Sequence, residues 1–174
     1  MTTVGQLRGQ VDQELSTIGN YDWRNTDNNV RLANEVRQYV DGMQSDEPTI
    51  PTAKHIAEVA VACRDYFNFR DFLMGLRVEK ASPNVATYLT LVKETLAPEY
   101  AVPFIAVLST YLFEFEEVEE AKAQIQTVLD IDPQYSLAHL LERVYVSWPP
   151  FMMVQMAEDL HSSVVAKLSE KETE

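Results

Sequence analysis

Apolar residues recur at steps of three and four along most of the chain, and polar interruptions divide that rhythm into helical segments. In VGQLRGQVDQELSTI, Val4, Leu7, Val11, Leu15 and Ile18 form one stripe, which Gly19-Asn20 ends. YDWRNTDNN is a polar connector that carries Trp23. The stripe Val30, Ala33, Val36 and Val40 then predicts a second helix, with Asp27 or Asn28 as N-cap and Gly42 as C-cap. MQSDEPTIPT, with two prolines and mixed charge, reads as an exposed loop or boundary. Thr52 caps the next helix, whose buried face is Ile56, Val59, Ala60, Cys63 and Phe67. FRDFLMGLRV is either a short helix or a continuation past a kink at Asn68, and Ser82-Pro83 opens the segment after it.

Beyond Pro98 the apolar content rises. VPFIAVLSTYLFEF is nearly apolar on every side and predicts the central helix of the core. The following helix shows Val118, Ala121, Ile125 and Val128 or Leu129 inward, with glutamates in its first turns where the helix dipole favours them. Asp132-Pro133 starts another, with Leu137, Leu140, Leu141, Val144 and Tyr145 inward, and Trp148-Pro149-Pro150 stops it. FMMVQMAEDLHSSVVAKL forms the last helix. No segment alternates with period two, so the expected fold is an all-α single-domain bundle of eight or nine helices. The expected organisation is an N-terminal helical pair at 1–45, a main helical domain at 46–168 with which that pair can form one unit, and an acidic disordered tail at 169–174.

Between Val102 and Pro133 the helical hairpin resembles a tetratricopeptide unit: Leu108-Ser109, Ala121 and Pro133 fill its slots, and Ala138-His139 resemble the start of a second. The register stops there. Glu142-Arg143 stand where Leu and a small residue belong, and Thr87 and Glu99 occupy the slots one period upstream. The expectation is a closed bundle with one repeat-like hairpin in its C-terminal half.

A series of widely spaced motifs carries a second resemblance. Arg70-Asp71 is followed by Val102-Pro103, Ala121, and Asp132-Pro133-Gln134-Tyr135. Leu137-Ala138-His139-Leu140-Leu141 and Pro149-Pro150 complete the series. The stretch from about Arg64 to Pro150 resembles the C-terminal half of an actinobacterial and actinophage family of uncharacterised proteins. It departs where that family commonly has Gly-Asp between two helices, EFEE standing here, and Ser147-Trp148 replaces a small residue before Pro-Pro. The resemblance implies a fold unit and a host range; it names no activity.

Charge narrows the function. With 27 acidic against 14 basic residues the formal charge is -13, the wrong sign for direct nucleic-acid binding and a bias toward partners with a basic surface. The single cysteine excludes a disulfide framework and fits a reducing cytoplasm. MTTVGQLRGQVDQ lacks the order of a signal peptide, and no apolar run reaches membrane-span length, so no membrane partner is expected. Glycine-rich phosphate loops are absent, and no cofactor is implied.

Glu158 and His161 have E-x-x-H spacing, but the only companion, His55 with Glu58, runs in reverse order. Cys63 sits among apolar neighbours as a small core residue, and His139 is expected partly buried at a helix joint. The remaining candidates are surfaces. Trp148, Phe151, Met152, Met153 and Met156 gather soft apolar groups around the double proline, either in the core or as a partner-binding face. Glu116, Glu117 and Glu120 belong to the densest acidic run, with Glu114 and Glu119, either a solvated helix start or a dock for a basic partner. The function expected is a non-enzymatic protein–protein interaction module, with an acidic DNA-mimic inhibitor as the alternative and a metal-dependent enzyme behind both.

Overall fold

The computed structural model describes residues 3–170. Nine α-helices run through them without a strand: α1 Val4–Ile18, α2 Thr26–Gly42, α3 Ala53–Asp65, α4 Phe67–Gly75, α5 Ser82–Glu94, α6 Pro98–Glu114, α7 Val118–Ile131, α8 Ser136–Ser147 and α9 Met152–Ser169. A 3-10 turn, Leu76–Val78, extends α4. The tail expected at 169–174 is shortened from the front, because Ser169 closes α9; residues 171–174 lie outside the described residues.

α6 is the axis of the bundle. Its apolar run leaves no side for water, and it packs against α5, α7, α4, α3 and α9. α1 lies on α3, α2 touches α9, α5 and α3, and α9 returns across α4 and its 3-10 turn. Leu7 and Leu168, near opposite ends of the chain, therefore share one hydrophobic cluster, which also takes in the residues of 1–45 that turn inward. α8 is the edge helix, with α7 as its main neighbour. No helix among the described residues is long and apolar enough to cross a membrane.

Local capping explains where the elements begin. Thr3 forms a capping box with Gln6, and Thr52 Oγ1 accepts the His55 N–H at 3.1 Å. α2 starts earlier than its charges suggest: Asn25, not Asp27 or Asn28, is the cap, accepting the Asn28 N–H at 3.0 Å. Its inward face keeps Ala33, Val36 and Val40 of the expected stripe but departs from it at Val30. Asn29 points in and Val30 out, because the Tyr21 hydroxyl donates to Asn29 Oδ1 at 2.6 Å and Asn29 Nδ2 donates to the Trp23 carbonyl at 2.8 Å. Similarly, Ala81 rather than Ser82 precedes α5, and the Ser82 hydroxyl donates to Glu114 instead (2.9 Å).

The turn from α6 to α7 is a Schellman motif. The Glu117 N–H reaches the Leu112 carbonyl at 2.9 Å, the Glu116 N–H reaches that of Phe113 at 3.0 Å, and Glu116 carries φ 66°. That backbone conformation suits glycine, and a glutamate there is strained. Glu116→Gly is expected to raise stability by about 1 kcal/mol, since relief of the strain exceeds the added freedom of the unfolded chain. Urea denaturation checks it, and an unchanged or lower midpoint would contradict the strain.

Candidate functional site

α3 and α4 are separated by one extended residue, Tyr66, at φ −139° and ψ 97°. The break falls two residues before the kink expected at Asn68, and it moves Phe67 off the buried face of α3. Phe67 is 57% exposed, where a continuous helix would have buried it. It forms one wall of a groove of about 440 Å³, open on one side, between the α3–α4 break, the start of α6 and the α7–α8 joint. Tyr100, Pro103, Ile131 and Tyr135 complete the apolar walls, and buried Cys63 lies at the floor. Burial pushes the Cys63 thiol far up, against a smaller lowering by Arg70, which disfavours the thiolate.

Two guanidinium groups frame this groove. Arg64 makes a fork on Asp65, with Nε to Oδ1 at 2.7 Å and Nη2 to Oδ2 at 2.9 Å, and lies 5.7 Å from the Tyr100 ring centre. That hydrogen-bonded cation holds the Asp65 carboxyl below its usual range. Arg70, nearly buried, gives Nε and Nη2 to Asp71 Oδ1 at 3.1 and 3.0 Å, and its Nη1 donates to the Tyr135 hydroxyl at 3.2 Å. Its guanidinium stands 4.7 Å from the Phe67 ring centre and 5.8 Å from that of Tyr135. Arg70-Asp71 and Asp132-Pro133-Gln134-Tyr135, sixty residues apart, thus meet in one place, and Val102-Pro103 line the same groove.

Residues 2–150 match a family described as a domain of unknown function, DUF4192. The chain belongs to the DUF4192 family. The match takes in the segment from Arg64 to Pro150 that carries the motif resemblance. It also covers the N-terminal half, which lies outside that motif series. No curated protein and no solved structure matches the chain.

The apolar cluster around Pro149-Pro150 divides in this DUF4192 chain. Phe151 is 69% exposed and Trp148 38%, and Val146, two residues before Trp148, is 79% exposed. Met152 and Met156 are half-buried. Met153 drops out of any partner-binding face: it is fully buried, on the inward side of α9 with Ala157, Val164 and Leu168. Leu140, expected inward, is exposed instead, because α8 buries only the face carrying Leu137, Leu141, Val144 and Tyr145. Glu116, Glu117 and Glu120 are exposed at the α6–α7 turn and the first turn of α7. Glu114 is not part of that solvated run; it pairs with Arg77 Nη1 at 3.1 Å.

Two of the histidines have partners within the bundle. His139 is exposed rather than partly buried, bridging to the Pro133 carbonyl at 2.7 Å. His161 Nε2 lies 3.0 Å from Glu79, which Arg37 also grips, and Glu158 faces solvent. Glu58 pairs with Arg31, so it does not converge with His161. Among the described residues no three His, Cys, Asp or Glu side chains are grouped to hold a metal ion.

His55 is different in consequence. It is buried, its Nε2 is 2.8 Å from the Tyr88 hydroxyl, and Nδ1 has no hydrogen-bond partner. Burial first, then the charge of Arg31, lower its pKa to about 4; Glu35, 3.8 Å from Nδ1, is already held by Arg31. Between that value and the unfolded 6.5 the unfolded chain binds more protons, so stability is complete above pH 6.5 and falls toward pH 4. The expected loss is about 3 kcal/mol. Urea titrations across this window check it, and His55→Gln should flatten the slope; an equal slope in that variant would place the titration elsewhere.

Proposed function

We propose that this protein is a non-enzymatic α-helical module that works by binding another protein. The observation that carries the reading is the apolar ridge at the edge of the bundle. Val146, Trp148 and Phe151 are large, exposed and within six residues of one another, next to the half-buried Met152 and Met156. The ridge ends an edge helix that, among the described residues, packs mainly on α7 and α6, and its proline pair stiffens the backbone that presents it. Glu116, Glu117 and Glu120 supply charge toward a basic partner. The α6–α7 hairpin, with Ser109 and Ala121 fully buried, is read as a tetratricopeptide-like unit on the same proposal. On this reading the protein is a small cytoplasmic regulator, and the motif resemblance supports an actinobacterial host, or a phage that infects one, as its setting.

The alternative, a decoy for a DNA-binding protein, draws on the charge of -13. Many carboxylates are tied to arginines or a lysine, among them Asp41, Asp65, Asp71, Glu79 and Glu114. Acids neutralised in this way cannot stand in for backbone phosphates, and that favours the first reading.

Affinity capture from an actinobacterial lysate tests it when wild type is run beside a Val146→Ser, Phe151→Ser variant. The expected result is one partner retained by wild type and lost by the folded variant. Equal retention by both, or competition of the captured protein against DNA, would overturn the ridge as the docking face.

A further inference from the structure

The groove at the α3–α4 break points to a ligand chemistry of its own. Its walls are three rings, Phe67, Tyr100 and Tyr135, and a volume of about 440 Å³ is enough for a large side chain. The donors that reach it are already used. Arg64 is forked on Asp65, and Arg70 is divided between Asp71 and Tyr135. The acceptors are not. Among the described residues Glu99 and Asp132 line the groove without a cationic partner, and Asp132 Oδ1 accepts only the Gln134 N–H at 3.2 Å.

Backbone chemistry adds to that imbalance. Pro103 sits inside α6 and has no N–H to give the Glu99 carbonyl four residues earlier, so that carbonyl, at the groove wall, lacks its regular helical donor. The C-terminal end of α7, at Ile131, contributes a further partial negative charge. α4, α6 and α8 begin nearby without side-chain caps, but half-charges at helix ends do not cancel two full carboxylates. The rings also have a demonstrated use: each already stands within cation–π range of an arginine of this chain.

We propose that this groove binds the guanidinium or ammonium end of a basic peptide segment. The cation lies among the rings of Phe67, Tyr100 and Tyr135 and is neutralised by Glu99 and Asp132. A peptide is the occupant because the groove is open on one side, which leaves room for a chain behind the charged tip, and because the surface of net charge -13 attracts a basic segment. The inference rests on the protein-binding reading only for the source of the cation. The ridge variants leave the groove intact and the groove variants leave the ridge intact, so each can fail alone.

The test titrates the full-length, isotope-labelled protein with a peptide of alternating arginine and glycine, and with a glutamate–glycine peptide and tetramethylammonium as controls. Amide shifts should concentrate at residues 64–67, 99–103 and 131–135. Phe67→Ala leaves every charge in place and truncates a mostly exposed ring; it should weaken binding about tenfold. Glu99→Gln with Asp132→Asn should weaken it by a similar factor and reduce its salt dependence. Shifts centred on Glu116–Glu120, or unaltered affinity in Phe67→Ala, would show general attraction to an acidic surface and overturn the site. Equal binding of the acidic peptide would overturn it too, and tetramethylammonium as tight as the arginine peptide would overturn the peptide assignment.

Discussion

Ending the chain at Pro150, where the family match stops, is expected to abolish cooperative folding rather than trim a loose end. α9 supplies Met153, Val164 and Leu168 to the core, each almost completely buried. Burying three such side chains contributes about 5–9 kcal/mol, comparable with the roughly 5–15 kcal/mol by which a whole domain is stable. α9 also covers α4 closely. Gly75 has no Cβ where one would sit 3.0 Å from His161 Nδ1, and the Tyr66 hydroxyl donates to the Lys167 carbonyl at 3.3 Å. Without that helix the apolar face of α4 meets water. The shortened chain should retain helical circular dichroism, bind a hydrophobic dye and melt without a sharp transition. A sigmoidal melt within a few degrees of the full chain would show that α9 is peripheral. Leu168→Ala gives the graded version, with an expected cost of about 2–3 kcal/mol.

Helix positions were legible because most elements obey one rule, an apolar stripe at steps of three and four. α1 from Leu7 onward, α3 and α7 follow it, whereas Val4 is exposed and α6 was recognisable instead by the absence of any polar side. Departures came where polar chemistry overrides the stripe. Asn29 is buried by two hydrogen bonds that depend on Tyr21 and Trp23, and periodicity carries no sign of them. Phe67 looked like a core residue because the rhythm continues across Tyr66; one extended residue reverses its role. The groove was therefore visible only in pieces. Arg70-Asp71, Val102-Pro103 and Asp132–Tyr135 were each notable as motifs, but the helical register that joins them is a property of the packed bundle. At 148–156 the spacing allowed core or surface, and the chain uses both, Met153 inward and Phe151 outward.

Glu114→Ala is expected to cost about 3–5 kcal/mol, although the residue sits at the head of what reads as a solvated acidic run. Its partner, Arg77, has a side chain only 1% exposed. Arg77 Nε donates to the Met74 carbonyl at 2.9 Å, Nη1 to the Thr110 carbonyl at 3.3 Å and to Glu114 at 3.1 Å, and Nη2 to Thr110 Oγ1. The guanidinium also stacks 3.8 Å from the Tyr111 ring centre. Three backbone and hydroxyl oxygens accept its hydrogens, but among the described residues only Glu114 pairs with its charge. Removing the carboxylate leaves a cation in a low-dielectric interior, and the cost is that of desolvated charge rather than of one lost hydrogen bond. Arg77→Met removes the charge instead and should cost less, and Arg77→Met with Glu114→Leu should be closer to wild type than Glu114→Ala alone. Urea denaturation of the two single variants Arg77→Met and Glu114→Leu and of their combination measures the coupling, expected at about 2 kcal/mol or more. Small, additive single effects would mean that water reaches the pair. The junction of α5, α6 and the 3-10 turn would then be held by apolar contact alone, with Ser82 and Thr110 as incidental neighbours.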